Sequence, residues 1–249
     1  MAGDGAAAHG PCRVCGTAGG VPQFEKGGKT FLLCRTCGFV WLEPLPTLEE
    51  LQAHYAWTYE EGPYAVFAAA DEIRRLIARE RLAGLGSALD RGPVLDVGAS
   101  TGAFVAEARD AGHDATGIEL SEAAVRLARD AGLPVERARI EEYTPPRALG
   151  AVTAFDTIEH LLDPAVLLRQ AHRWLAPGGV LALTLPDIGS AAARVLGRFW
   201  YFYAPLDHFH YFDRHTIARL LATHGFRVER VVPATKPLTL DYVARQIEV

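Results

Sequence analysis

The stretch Pro93-Val-Leu-Asp-Val-Gly-Ala-Ser-Thr-Gly102 constrains the fold of this chain more than any other segment. Val94 to Val97 is a short apolar run of strand character, and the run from Phe104 to Asp110 reads as the start of a helix. The glycines therefore fall on a strand-to-helix turn. Gly98 and Gly102 let the backbone approach a ligand, and the helix start behind them offers N–H groups that no helical carbonyl satisfies. A second strand, Ala115 to Ile118, ends in Glu119, roughly 20 positions after Asp96, where a carboxylate one strand over can accept both hydroxyls of a ribose. A chain built this way belongs to the open α/β class, with its ligand at the carboxyl ends of the strands.

Three ligands compete for such a turn. A nucleoside triphosphate loop requires Gly-Lys-Ser/Thr, and no lysine is present in this stretch. A dinucleotide site favours G-x-G-x-x-G, whereas here the spacing is Gly98-x-x-x-Gly102 with Ser100 between. An adenosyl ligand lacking a pyrophosphate fits the pattern best.

All four cysteines lie in the first 37 residues, as Cys12-x-x-Cys15-Gly16 and Cys34-x-x-Cys37-Gly38. Each C-x-x-C-G is a knuckle in which a two-residue spacer brings both sulfurs to one ion and the glycine allows the turn behind them. Two knuckles provide four thiolates for a tetrahedral zinc ion, a closed and structural site. Between them, Gly19-Gly20 and Gly27-Gly28 divide the chain into short strands, too small a segment to fold without metal. The first ten residues show neither a basic nor an apolar leader pattern, and no apolar run is long enough to span a bilayer, so a cytoplasmic location is expected. In that compartment thiols stay reduced, which favours metal over disulfides.

With 249 residues, the chain has room for one sizeable α/β domain and a small module. The expected division is a zinc ribbon over 1–43, a linker and helical segment over 44–92, and the ligand-binding domain over 93–249. Glu43-Pro44-Leu45-Pro46 breaks the chain, and Thr47 with Glu50 forms a capping-box pattern that opens a short helix to about His54. The aromatic stretch Tyr55, Trp57, Tyr59, Tyr64, Phe67 reads as packing or as a substrate-facing lid. The helix from about Ala65 to Leu85 is expected to turn Ile73, Leu76 and Ile77 inward and to solvate Arg74, Arg75, Arg79 and Arg81. Arg227 to Val232 reads as one more strand, and Leu238 to Val249 has a mixed pattern that fits a helix. A net charge of -5 gives no general attraction to nucleic acid or anionic membranes, and the ribbon carries only a small basic excess.

Taken together these motifs resemble the class I S-adenosylmethionine-dependent methyltransferases. Asp96-Val-Gly98-Ala-Ser-Thr-Gly102 is similar to that family's first motif, with Ser100 where a glycine is common. Ala151 to Pro164, ending Asp156-Thr-Ile-Glu159-His160-Leu-Leu-Asp163-Pro164, resembles its fourth strand and the turn that follows. Leu175-Ala-Pro177-Gly178-Gly179 to Pro186 resembles the turn into its fifth strand. Asp207-His208-Phe-His210-Tyr-Phe-Asp213, with Leu220 to Phe226, is similar to the tail of a subgroup that often carries an N-terminal zinc ribbon.

The resemblance implies a Rossmann-like fold with a mostly parallel sheet of the seven-stranded type, with or without its last strand, and S-adenosylmethionine as cofactor. Gly98, Ala99, Ser100 and Gly102, with Asp96, would surround the methionine moiety, Glu119 would hold the ribose, and Leu120, Ile140 and Glu141 would flank the adenine. Phe155 and Asp156 would line the methyl-bearing side. The implied reaction is methyl transfer to a small polar acceptor, with O-methylation of a saccharide or natural-product intermediate as the leading expectation. The alternatives are an RNA or protein methyltransferase that uses the ribbon for binding, or a non-catalytic scaffold of the same fold.

A hydroxyl acceptor needs a base, and histidine titrates near the working pH. Of nine histidines, His160, His208 and His210 are placed to serve. A divalent-metal site on Glu159 and His160 is a weaker expectation, because two adjacent ligands lack an obvious third.

Overall fold

The computed structural model describes residues 9–47, 49–51, 53–54 and 71–234. The aromatic stretch from Tyr55 to Phe67 and the segment from Leu238 to Val249 lie outside them. Two compact units emerge. One comprises the chain up to Pro46 with Ile158–Leu168 and Leu185–Val231, and the other Thr47–Thr157 with Arg169–Thr184 and the residues from Val232.

The larger unit is built on a five-stranded sheet of β4 (Val94–Val97), β5 (Ala115–Glu119), β6 (Val135–Arg137), β7 (Leu149–Phe155) and β8 (Leu175–Thr184), in the order β6-β5-β4-β7-β8. Every pairing is parallel. Central β4 is buried along its whole length, as a strand with both faces covered must be, which explains its unbroken Val-Leu-Asp-Val run. Helix α1 (Asp71–Leu85) precedes this sheet in the chain, and α2 (Ala103–Asp110), α3 (Glu122–Asp130) and α4 (Pro164–Trp174) follow β4, β5 and β7. Ala78, Phe104, Val105, Ala108, Val125 and Ala128 from three of these helices meet the sheet residues Val94, Ala115, Val135 and Ala151 in one core. The small alanines let helix and strand backbones approach closely. The Pro177-Gly178-Gly179 turn is absorbed into β8 as an irregularity, the register jumping from Leu149 opposite Leu175 to Ala151 opposite Val180.

Local signals hold where local chemistry decides. Thr47 and Glu50 form the reciprocal capping box, with the Glu50 amide donating to Thr47 Oγ1 at 3.1 Å and the Thr47 amide to Glu50 Oε2 at 2.7 Å. Residues 49–51 and 53–54 are helical. Helix α1 departs from expectation. Ile77 is buried, but Leu76 is 45% exposed. The arginines are not merely solvated: Arg75 and Arg79 both pair with the buried Glu107 of α2. Burial alone would raise the Glu107 carboxyl, but the two guanidinium groups outweigh it and hold it below the usual carboxylate range.

The smaller unit is an antiparallel sheet of β1 (Val21–Lys26), β2 (Lys29–Leu33), β3 (Val40–Glu43) and β9 (His210–Tyr211), in that order. Gly27 and Gly28 form the β1–β2 turn at φ 56° and 71°, the geometry a two-residue hairpin loop demands. The sheet packs an aromatic core in which Phe31, Phe39, Trp41, Phe209 and Phe212 are almost wholly buried. Strand β9 arrives from far along the chain, so the ribbon sheet extends beyond the expected 1–43 segment. Helices α5 (Ala191–Leu196) and α6 (Arg214–Thr223) also belong here. Asp213 caps α6 by accepting from the His215 and Thr216 amides. Arg227 to Val232 forms no strand: Val228, Val231 and Val232 are exposed, and a strand needs a partner that this segment does not find among the described residues. No helix among the described residues is long and apolar enough to cross a membrane.

Candidate active site and metal centre

The turn after β4 is held by specific bonds. The Gly98 and Ala99 amides donate to the Ile118 carbonyl, and Gly102 donates to Ala99. Gly98, Ser100 and Gly102 have φ of 75°, 51° and 82°, a left-handed succession that turns backbone amides toward the neighbouring strand end. The two glycines are demanded by the protein itself as well. A Cβ at Gly98 would lie 2.6 Å from Thr157 Oγ1, and one at Gly102 would lie 2.7 Å from Leu133 Cδ1.

Glu119, at the end of β5, faces this turn. One carboxylate oxygen accepts the Ser100 amide at 2.9 Å, and the other accepts the Leu120 and Ser121 amides at 2.7 and 2.8 Å. Burial raises its carboxyl despite those three amides, which act in the opposite direction. Leu120 beside it is 41% exposed, presenting an apolar edge at the mouth of the site. Asp96 is different. It is 4% exposed inside β4 and accepts from Thr153 Oγ1 at 2.6 Å, and burial lifts its carboxyl to about 7. Its carboxylate is thus directed at the neighbouring strand β7.

Phe155 and Asp156 end β7, beside β4. Asp156 has φ 51°, unusual for a residue other than glycine, and its strained backbone is bonded to β8: its amide donates to the Thr184 carbonyl at 2.9 Å. Arg81 of α1 donates to Asp156 Oδ2 at 2.6 Å and lies 4.6 Å above the Phe155 ring, which also meets Phe104 edge-on. By sequence alone nothing distinguishes Arg81 from Arg74, Arg75 and Arg79 in the same helix. On the other flank, Ile140 is buried and its carbonyl accepts from Gln170 at 3.2 Å, as does that of the exposed Glu141 at 3.3 Å. The ends of β4, β5 and β7 thereby bring together Gly98 to Gly102, Glu119, Phe155 and Asp156.

In the smaller unit, the two knuckles are near copies. Gly16 donates to the Cys12 carbonyl and Gly38 to the Cys34 carbonyl, both at 2.8 Å, with the glycines at φ 73° and 81°. All four sulfurs are free thiols lying within 4.8 Å of one another, with Cys12 to Cys37 at 3.6 Å and Cys15 to Cys34 at 3.5 Å. A tetrahedron with bonds of about 2.3 Å has edges of about 3.8 Å, so the thiols fit a zinc ion and are too far apart to be disulfides.

The three histidines separate. His210, in β9, is 1% exposed, stacks on Phe39 at 5.9 Å, and is held neutral by burial, with the Arg13 charge adding to the effect, its pKa falling to about 3. It is a residue of the aromatic core. His208 lies just before the strand rather than in it, and meets His160 with ring centroids 4.7 Å apart. His160 ends the 3-10 turn Ile158–His160, next to buried Glu159.

An open parallel sheet, a glycine turn closed by an acidic residue one strand over, and a further acidic residue ending the next strand define the class of Rossmann-like methyltransferases. The chain belongs to the methyltransferase family: the family model described as "Methyltransferase domain" matches residues 68–231. Among curated proteins it is similar to the ubiquinone biosynthesis O-methyltransferase of Pseudomonas paraeruginosa, at 34% identity over 101 residues, 36% of this chain and 43% of the relative. The chain thus spans about half the length, or less, of the first curated relatives it matches. Among solved structures, a SAM-dependent methyltransferase from Thermotoga maritima is 21% identical with a TM-score of 0.55, covering 71% of this chain and 82% of its own. The 1,6-didemethyltoxoflavin-N1-methyltransferase of Burkholderia thailandensis is 19% identical with a TM-score of 0.54, covering 83% and 88%. These two likenesses bear on the fold.

Proposed function

We propose that this protein transfers a methyl group from S-adenosylmethionine to a small polar acceptor, with a hydroxyl of a saccharide or natural-product intermediate as the acceptor class. The observation that carries the reading is the junction of Glu119 with the Ser100 amide at the ends of β5 and β4. A ribose entering there would meet the half-buried Glu119 carboxylate, and the amides of the left-handed turn would face the methionine moiety. Leu120 and Ile140 offer apolar surface for the adenine, and Phe155 with Asp156 would face the sulfonium. The curated relative's name includes O-methyltransferase, which favours a hydroxyl over a nitrogen acceptor.

Methyl transfer from a sulfonium is an in-line displacement, so the protein's work is to hold donor and acceptor in line and to take up the hydroxyl proton. His208 suits proton uptake. Its Nδ1 lies 2.9 Å from the Phe202 carbonyl, which can only accept, so Nδ1 carries the proton and Nε2 keeps its lone pair. His160 stands against it, whereas His210 is enclosed. The thiolate zinc site, closed by four protein ligands, is structural in this reading, and the ribbon, Thr47–Leu85 and the sheet domain form successive parts of one enzyme.

Titration calorimetry with S-adenosylmethionine and S-adenosylhomocysteine tests the cofactor assignment. Micromolar-range binding is expected, weakened more than about tenfold in Glu119→Ala, where hydrogen bonds to a charged group are lost. Absence of binding by zinc-loaded wild type would overturn the enzymatic reading in favour of a scaffold.

A further inference from the structure

We propose that Glu159, His160 and His208 form a second metal site, distinct from the cysteine centre, that takes one divalent transition-metal cation. The carboxylate and the two imidazoles each offer a ligand atom, and these atoms lie within 4.8 Å of one another. Two of the ligands come from the turn after β7 and the third from a segment almost fifty positions on, so their meeting is a product of folding rather than of local sequence.

Three observations point to a cation. First, the carboxylate of Glu159 is 1% exposed, and a carboxylate so deeply placed calls for positive charge nearby. Second, His208 has the outer support that metal-binding histidines show: the Phe202 carbonyl at 2.9 Å fixes the proton on Nδ1 and turns the lone pair of Nε2 to the cluster. Third, the backbone ties the two ligand segments together. The Phe209 amide, next to His208, donates to the Glu159 carbonyl at 2.9 Å, so the backbone itself joins the segment of His208 to that of Glu159 and His160.

Two imidazoles and one carboxylate select zinc, manganese, iron, cobalt or nickel over magnesium or calcium, which prefer oxygen ligands throughout. Three protein ligands leave coordination positions open, in contrast to the four-thiolate site. This deepens the methyltransferase reading and, for its catalytic meaning, rests on it. A cation held there would lower the pKa of a hydroxyl acceptor, which would then pass its proton to water, and His160 and His208 would serve as ligands, replacing the role of His208 as the base.

The test adds cobalt(II) to zinc-loaded full-length protein and follows its visible spectrum. One equivalent is expected to bind with d–d bands and no thiolate-to-cobalt charge transfer, because the thiolates are already occupied. His208→Ala and Glu159→Gln should each weaken that binding by more than about tenfold, in line with the sensitivity of metal sites to their surroundings. Far-UV circular dichroism identifies any variant that fails to fold, and His160→Gln then stands in for it. Failure of zinc-loaded wild type to bind cobalt outside the thiolates, or binding unchanged in folded variants, overturns the site. S-adenosylmethionine titration of the same sample distinguishes the two ideas: cobalt binding without donor binding would sink the methyltransferase reading and leave the metal site standing.

Discussion

The Ser100 amide donates to a carboxylate oxygen of Glu119 at 2.9 Å, while Ser100 itself sits at φ 51°. The donor can point at Glu119 only because the backbone has entered the left-handed region, which costs an ordinary residue about 1–2 kcal/mol. Ser100→Gly should therefore be neutral or stabilising, since the added entropy of the unfolded chain offsets part of the gain. Ser100→Val should destabilise by about 1–2 kcal/mol and weaken donor binding. Thermal melts and calorimetry on both variants check this.

Arg81 and Asp156 should prove coupled. Their contact is 2.6 Å, both side chains are largely covered, and the guanidinium also lies over Phe155. In a double-mutant cycle of Arg81→Met and Asp156→Asn, read as affinity for S-adenosylhomocysteine, a coupling of about 1 kcal/mol is expected. Arg81→Lys should not restore it, because an ammonium cannot present a planar face to Phe155. Additive effects would separate the two residues.

Asp96 should make stability fall as pH rises. Burial lifts its carboxyl from 3.8 to about 7, so the folded state holds a proton that the unfolded chain gives up earlier. The contribution is complete below the lower value and is lost as pH passes through the upper one. Relative to Asp96→Asn, which keeps the Thr153 contact, wild type should lose up to ~4 kcal/mol across that window. Urea unfolding of the pair at pH 4 and pH 8 gives the difference.

His210 should act with the opposite sign. Its pKa drops from 6.5 to about 3, so protons bind the unfolded chain preferentially between those values. Its contribution is complete above the upper value and is lost as pH falls toward the lower. His210→Phe, which preserves stacking on Phe39, should flatten the acid limb of the stability curve. An unchanged limb would mean that the imidazole titrates in contact with water.

The thiolate centre should hold one zinc ion whose removal unfolds the ribbon. Thiol-bound structural zinc contributes an apparent 10–16 kcal/mol in small modules, roughly, at neutral pH. Treatment with a strong chelator and a thiol-modifying mercurial should release it and shift Trp41 fluorescence, since that indole is 1% exposed and bonded to Glu43. Retention of the Trp41 signal in zinc-free protein would show that the aromatic core suffices.

Much of this molecule could be read from local pattern. Each cysteine knuckle, the Gly98–Gly102 turn and the capping box at Thr47 depend on chemistry within a few residues, and they form the local structure that their patterns imply. Residues whose role depends on distant partners were less visible. Arg81 looks like any solvated arginine until Asp156 is beside it, and His208 looks like a strand residue alternating with His210, whereas the strand begins only at His210 and His208 meets His160. Arg227 to Val232 failed in the other direction: its valines suit a strand, but β propensity expresses fit to a neighbour, and here none pairs with it among the described residues.

Strand β9 is only two residues long, yet it closes the sheet begun by β1, β2 and β3, with Val40 opposite Tyr211 and Trp41 opposite His210. A nascent chain leaving the ribosome can make its first hairpin and gather its knuckles at once, but the outer edge of β3 (Val40–Glu43) must wait until the distant residues His210 and Tyr211 have been synthesised. During that interval the edge is an open template for foreign strands. Early metal capture would then act as a kinetic safeguard, holding the hairpin in register until its last strand arrives.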